Sequence, residues 1–148
     1  MPNWSLHQRP LIKSAMTPFP YSIAIEAPLE HAIEMMSAHD IRHLPVKDGS
    51  KLVGIVTDRD VRMVLDTRLA PRWERDLQVR DACIPDAYVV DLNTPLDTVL
   101  SEMVENNVSS ALVLKDGKLA GIFTTYDACR AFGEFLSWLF PEGGDEAA

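Results

Sequence analysis

The stretch Gly54-Ile55-Val56-Thr57-Asp58-Arg59-Asp60 determines how the rest of the chain is interpreted. A glycine followed by two β-branched residues predicts the end of a strand, and the Thr-x-x-Asp predicts a helix with Thr57 as its N-cap. The same pattern returns 67 residues later as Gly121-Ile122-Phe123-Thr124-Thr125-Tyr126-Asp127. The chain is therefore predicted to contain two copies of one structural unit.

The duplication extends along the whole unit. At the same offset, matching residues include Pro18 and Pro85, Tyr21 and Tyr88, Pro28-Leu29 and Pro95-Leu96, Met36 and Met103, and Val46 and Val113. The first copy predicts a strand over 22–25, a helix over 28–39, a hairpin of 43–46 and 51–57, and a helix over 58–68. We expect an α/β (α+β) fold of two β-α-β-β-α repeats, packed about a pseudo-twofold axis because neither half closes its core alone.

Five segments follow from this organisation: an N-terminal arm 1–10, a first repeat 11–67, a polar linker 68–77, a second repeat 78–133, and a C-terminal helix extension with an acidic tail 134–148. Two local details are also predicted. The hairpin turn shifts by one residue between copies, from Asp48-Gly49 to Asp116-Gly117, and Thr94 to Asp97 resembles a capping box.

Composition limits the classes of protein to consider. Of 148 residues, 47% are apolar, and 14 basic against 22 acidic side chains give a net charge of −8. This sign opposes nonspecific binding to nucleic acid or anionic lipid. The start lacks a secretory signal, no apolar run reaches the ~18 residues of a membrane span, and the two cysteines form no CxxC. We therefore expect a cytoplasmic protein without nucleic-acid or membrane partners.

The last helix carries apolar residues at helical spacing, namely Phe132, Phe135, Leu136, Leu139 and Phe140. Such a face either covers the core of its own domain or forms a homodimer contact. The sequence leaves both possibilities open.

Thr-x-x-Asp has two interpretations. The simpler is a helix cap with no ligand. The other is a ligand site, because helix N-terminal N–H groups suit phosphate, a carboxylate can accept two hydrogen bonds from a vicinal diol, and a threonine hydroxyl can donate to sugar or phosphate. The pairs His39/His43 and Asp58/Asp60 and the two cysteines make weaker metal or catalytic sites, and packing or solvated roles are favoured for them.

The repeated unit, with Gly54–Asp60 and Ile41-Arg42-His43-Leu44-Pro45-Val46, resembles the cystathionine-β-synthase (CBS) domain. Two such units in tandem, over about residues 11–133, are similar to a Bateman module. The resemblance implies a regulatory module, not an enzyme, that binds AMP, ADP, ATP or S-adenosylmethionine in the cleft between repeats. It further implies a homodimer of four CBS units, an unidentified protein partner, and no cofactor or metal besides the ligand. The alternatives are a dimerisation or interaction module without ligand binding and, least favoured, a small nucleotide-modifying enzyme.

Carried over residue by residue, the family pattern implies two pockets, each built across the pair. One would use Thr57 and Asp60 with Tyr88, Val108, Ser109 and Ser110. The other would use Thr124 and Asp127 with Thr17, Tyr21, Ile41, Arg42 and His43. Arg59 would lie near the middle and serve either pocket.

The two copies are unequal in their basic residues. If the pockets cross between repeats, the Asp127 pocket gains Arg42 and His43, whereas the Asp60 pocket receives Ser109 and Ser110 instead. Arginine is the natural bidentate partner of phosphate. We therefore expect the main nucleotide-phosphate site to contain Asp127.

Overall fold

A computed structural model describes residues 4–66 and 76–143. In chain order its elements are β1 (Thr17–Pro18), β2 (Ile23–Ala24), α1 (Leu29–His39), β3 (His43–Asp48), β4 (Lys51–Thr57), α2 (Asp58–Leu65), β5 (Val89–Asp91), α3 (Leu96–Glu105), β6 (Ser110–Lys115), β7 (Lys118–Thr124) and α4 (Thr125–Leu139). The predicted α/β class and the repeated β-α-β-β-α order are confirmed. Most of the predicted linker (68–75), the start of the arm and the end of the acidic tail lie outside the described residues.

The chain divides into two compact units. The first unit is Pro20–Ala87, and the second unit combines Met1–Phe19 with Tyr88–Ala148. Residues 11–19, which the repeat boundaries assign to the first repeat, thus belong to the second unit, and residues 78–87 belong to the first. In each unit such a segment supplies a short helical turn, Ile12–Ser14 or Val79–Asp81, whose first residue is 0% exposed in the core.

The first unit has a three-stranded sheet in the order β2-β3-β4, with β2 parallel and β4 antiparallel to β3. An isolated bridge between Ile55 and Ile84 extends the β4 edge. Its core consists of Ile23, Leu29, Ala32, Met36, Leu44, Val46, Val56, Val61, Val79 and Ala82. The apolar spacing of α1 predicts a buried face of Leu29, Ala32, Ile33 and Met36; the helix buries positions 29, 32 and 36, whereas Ile33 is 41% exposed.

The second unit has the order β1-β7-β6-β5, with β5 parallel to β6 and β1 antiparallel to β7. Both units carry a register shift at the same repeat position, after Val46 and after Val113. Its core consists of Ile12, Ala15, Val90, Leu96, Val99, Met103, Ala111, Val113, Phe123 and Ala131. The two units therefore share the pairing of their three central strands, including the position of the register shift.

The hairpin turns differ from the prediction of a one-residue shift. Paired residues Asp48 and Lys51 enclose Gly49-Ser50, and paired Lys115 and Lys118 enclose Asp116-Gly117, so both turns occupy matching positions. At the first turn position, Gly49 has φ 61° and Asp116 has φ 52°. Glycine and aspartate both tolerate this left-handed conformation. The Asp-Gly dipeptide therefore differs in position by one residue between the repeats, whereas the turn occupies the same position in both.

The capping box predicted at Thr94–Asp97 is wrong. Pro95 is the N-cap of α3, and no side chain caps the helix. The Asp97 carboxylate instead forms an ion pair with Arg9, at 2.9 Å between Nη2 and Oδ2. This pair attaches the predicted arm to the second unit.

The apolar face of α4 is largely exposed in the described structure. Phe132 is 61% exposed and Phe140 71%, while Phe135 packs edge-on against Trp4 with ring centroids 5.3 Å apart. Covering the core of its own domain therefore accounts for only part of this face. No helix in the described part of the chain is both long and apolar enough to cross a membrane.

Candidate ligand-binding sites

Both predicted helix caps are confirmed. The Thr57 hydroxyl accepts a hydrogen bond from the Asp60 N–H at 3.2 Å, and Thr124 accepts one from Asp127 at 3.4 Å. In the second repeat the box is reciprocal, because the Thr124 N–H donates to Asp127 Oδ2 at 2.9 Å. Each aspartate carboxylate therefore lies beside the first turn of its helix.

The glycine before each cap admits a close approach by the chain itself. A Cβ on Gly54 would collide with the Ile84 carbonyl oxygen and lie 2.7 Å from Cys83 Sγ. A Cβ on Gly121 would collide with the Met16 side chain and lie 3.1 Å from the Thr17 carbonyl oxygen. This close packing accounts for both glycines without a ligand.

The second-repeat site consists of Thr17, Thr124, Asp127 and Arg130. Asp127 Oδ1 accepts hydrogen bonds from Thr17 Oγ1 and Arg130 Nη2, both at 2.9 Å, and Oδ2 accepts from Thr124. Arg130 also donates to the Ala15 carbonyl oxygen at 3.3 Å. Asp127 is only 3% exposed, so this carboxylate is buried and hydrogen-bonded on both oxygens.

The first-repeat site consists of Thr57, Asp60, Cys83 and Ile84. Thr57 Oγ1 donates to Asp60 Oδ2 at 2.6 Å, and Asp60 is partly exposed. Burial raises the pKa of the Cys83 thiol; a backbone hydrogen bond with Ile55 opposes this, and the negative charge of Asp60 adds to it. A thiol with a raised pKa is a poor nucleophile, which agrees with a packing role for Cys83.

Backbone hydrogen bonds bring further predicted residues to each helix start. The Asp58 N–H donates to the Arg42 carbonyl oxygen at 3.0 Å, which places Ile41–His43 beside the start of α2. The Thr125 N–H donates to the Ser109 carbonyl oxygen at 3.1 Å, which places Val108–Ser110 beside the start of α4. Arg42 and Arg59, both exposed, therefore share a unit with Asp60.

The predicted tyrosines have different partners. Tyr21 stacks on His39 with ring centroids 3.7 Å apart in the first unit. Tyr88, in the second unit, donates a hydrogen bond to Glu102, and burial and this carboxylate raise the pKa of its hydroxyl. Of the residues predicted to join Asp127, the structure brings Thr17 to it. Two groupings across the repeats stay predictions. They are Tyr21 and residues 41–43 with Asp127, and Tyr88 and residues 108–110 with Asp60.

The first unit contains a groove of about 700 Å³, lined by residues of α1 and α2 and of the segment that joins α1 to β3. Its lining includes Ile33, Asp40, Arg42, Val61 and Arg62. Asp60 does not line this groove. The groove nevertheless adjoins the start of α2, because Arg42 and Asp58 line it.

Sequence reasoning missed Arg130 as part of a site. The signal was present, because Arg130 follows Asp127 by three residues on the same helix and therefore lies on the same face. The 67-residue offset also places Met63 at the matching position of the first repeat. The comparison of the two copies stopped before this pair.

The CBS domain family model matches this chain twice, at residues 12–67 and 79–134. The chain belongs to the CBS domain family. The two matched segments form a tandem pair that covers most of the sequence, as the resemblance implied.

Proteins similar to this chain include one enzyme and two solved structures. Inosine-5'-monophosphate dehydrogenase from Thermoplasma acidophilum is 32% identical over 72% of this chain, which spans only 20% of that enzyme. The CBS domain pair of protein MJ0100, solved with 5'-methylthioadenosine and S-adenosyl-L-methionine, is 25% identical (TM-score 0.74; 86% of this chain, 99% of that one). CBSX2, solved in complex with AMP, is 26% identical (TM-score 0.72; 85% and 98%).

Proposed function

We propose that this CBS pair is a regulatory sensor of an adenosine-containing ligand and is not itself an enzyme. The observation that carries the proposal is the duplicated Thr-x-x-Asp, whose aspartate carboxylates lie at the starts of α2 and α4. Support also comes from two similar structures, which hold AMP and S-adenosyl-L-methionine with 5'-methylthioadenosine. AMP, ADP, ATP and S-adenosylmethionine are therefore the candidate ligands.

In the proposed complex an aspartate carboxylate accepts hydrogen bonds from the two ribose hydroxyls, and the neighbouring threonine contacts ribose or phosphate. Arg42 and Arg59 are basic residues of the first unit near the start of α2, where Arg62 is already paired with Asp58 at 4.0 Å. A guanidinium there would pair with phosphate, and a charge-assisted contact of this kind contributes about 1.5–3 kcal/mol. The N–H groups at the helix start would add to the attraction for phosphate.

Signalling would follow from differential affinity. A ligand that binds one arrangement of the pair more tightly than another shifts the population toward it, and a partner protein that prefers this arrangement then responds. The response is limited by the ratio of the ligand's two affinities. Neither an enzyme active site nor a resident cofactor is needed for this mechanism.

Thermal denaturation with each of the four candidate ligands tests the proposal. A ligand at about 100 times its Kd adds about 2.7 kcal/mol of stability and raises Tm. Cytidine monophosphate is the matched control for the base, and the double variant Asp60→Ala/Asp127→Ala is the control for the sites. If all four compounds leave Tm unchanged in the wild-type chain, the proposed function is wrong.

One observation favours a second role, homodimerisation through α4. Tyr126, Phe132 and Leu136 of α4 and its C-cap Phe140 are exposed and lie at intervals of six, four and four residues, which places them along one side of the helix. We name these four residues the α4 stripe. A second copy of the chain would remove this apolar surface from water.

A further inference from the structure

The two repeats differ in how many donors already occupy the aspartate carboxylate. A carboxylate offers about four acceptor positions on its two oxygens. Asp127 uses four: Oδ1 accepts from Thr17 and Arg130, and Oδ2 accepts from the N–H and the hydroxyl of Thr124. A ribose diol that approaches this carboxylate finds its acceptor positions filled.

Asp60 has far fewer partners. At the 67-residue offset Ile84 of the first unit corresponds to Thr17 of the second unit, and Met63 corresponds to Arg130. Neither side chain contains a hydrogen-bond donor. Among the described residues, Asp60 Oδ2 accepts from Thr57, and Oδ1 accepts no hydrogen bond. Asp60 is also partly exposed, whereas Asp127 is 3% exposed.

Displacing the internal donors from Asp127 is costly for a ligand. The Arg130 guanidinium would lose its ion pair, and the Thr17 hydroxyl would lose its acceptor. Removing one partner of a buried ion pair is strongly unfavourable, although Arg130 is 42% exposed and water would recover part of this loss. A ligand at Asp127 should therefore bind at least about tenfold more weakly than the same ligand at Asp60.

We propose that Thr17 and Arg130 are internal ligands of Asp127, so that each chain carries one open ribose site, at Asp60, and one closed site, at Asp127. This inference rests on the proposed function and reverses the expectation from sequence that Asp127 holds the main site. Arg130 and Thr17 act as specificity-determining residues because they select which repeat binds. The closed site retains a structural role, since its hydrogen bonds join β1 to the start of α4.

Isothermal titration of the full chain with AMP tests this assignment. The wild-type chain should bind one AMP, Asp60→Ala should abolish that binding, and Asp127→Asn should leave it within about twofold. Arg130→Met installs the first-repeat residue and should add a second, weaker AMP. The reciprocal variant Met63→Arg should weaken the wild-type site by about tenfold or more. Arg130→Leu, which also lacks a donor, serves if Arg130→Met fails to fold by circular dichroism.

Two results would overturn the inference while the proposed function survives. One is a wild-type chain with two AMP sites of equal affinity, and the other is loss of AMP binding in Asp127→Asn but not in Asp60→Ala. A ligand-free readout covers the case in which AMP does not bind. The closed site requires Asp127→Asn to raise the unfolding equilibrium constant about tenfold more than Asp60→Asn, because only Asp127 loses a buried ion pair. Equal effects of the two substitutions would refute the closed site, whatever ligand the chain binds.

Discussion

Substituting the two glycines that precede the helix caps should have unequal effects on stability. Gly54→Ala places a Cβ against the Ile84 backbone oxygen, in a bridge closed by two hydrogen bonds of 3.1 and 2.8 Å with Ile55. Gly121→Ala places a Cβ in collision with the Met16 side chain, and its nearest backbone atom, the Thr17 oxygen, is 3.1 Å away. A side chain can rotate away, whereas a paired backbone cannot move without breaking its hydrogen bonds.

The magnitudes follow from these contacts. Overpacking in a filled core costs about 1–3 kcal/mol, and two weakened backbone hydrogen bonds add about 1 kcal/mol each. Replacing a strand glycine with alanine returns roughly 0.5–1 kcal/mol of backbone entropy. We expect a net loss of about 3 kcal/mol for Gly54→Ala and about 1 kcal/mol for Gly121→Ala.

Urea denaturation followed by far-UV circular dichroism measures both losses, with unchanged m-values as the condition for comparing them. A second substitution in each background separates the causes. Met16→Ala should remove most of the cost of Gly121→Ala, whereas Cys83→Ala should remove only part of the cost of Gly54→Ala, because the Ile84 oxygen remains. The reasoning fails if Gly121→Ala is the more destabilising substitution, or if Cys83→Ala restores the Gly54→Ala chain completely.

Two further predictions concern the surface of the second unit. The folded state raises the pKa of Tyr88 above its ordinary 10.0, so the contribution of this hydroxyl to stability is complete below pH 10.0 and is lost as the pH rises above 10.0. Tyr88→Phe should flatten the alkaline decline in unfolding free energy, and Glu102→Gln should flatten it partly. An unchanged decline in Tyr88→Phe would contradict the raised pKa. Phe132→Glu in the α4 stripe should reduce the mass found by light scattering from that of two chains to that of one chain, 16.5 kDa, whereas Val104→Glu, on the exposed surface of α3, should not. A wild-type protein that already has the single-chain mass would exclude the α4 dimer.

The element order was predictable because local patterns repeat in the sequence. Apolar spacing located α1, and Thr57 and Thr124 located the starts of α2 and α4, since a cap is decided within four residues of chain. Errors arose where partners are distant in sequence. From local sequence Asp97 resembles the last residue of a capping box, but in the structure it pairs with Arg9, 88 residues away.

Unit membership was harder to predict for the same reason. The 67-residue offset matches Ile12 with Val79 but does not say which core each one enters. In the structure each completes the unit formed around the hairpin of the other repeat, so the first compact unit is contiguous at Pro20–Ala87 and the second is not. Sequence repetition shows that two equivalent positions exist, whereas long-range packing decides how they are distributed.

The aspartates show why a family motif marks a position without deciding its function. A helix start benefits from a Thr-x-x-Asp cap whether or not a ligand is present, so both copies have reason to keep it. Whether the carboxylate can also bind a diol depends on its remaining acceptor positions, and these depend on residues outside the motif. In the second unit those residues are Thr17 and Arg130, one 110 residues before Asp127 and one a helical turn after it. In the first unit the corresponding side chains have no donor. We infer that the difference between a cap and a ligand site lies in these flanking positions, and that exchanging Met63 and Arg130 should weaken AMP binding at Asp60 and strengthen it at Asp127.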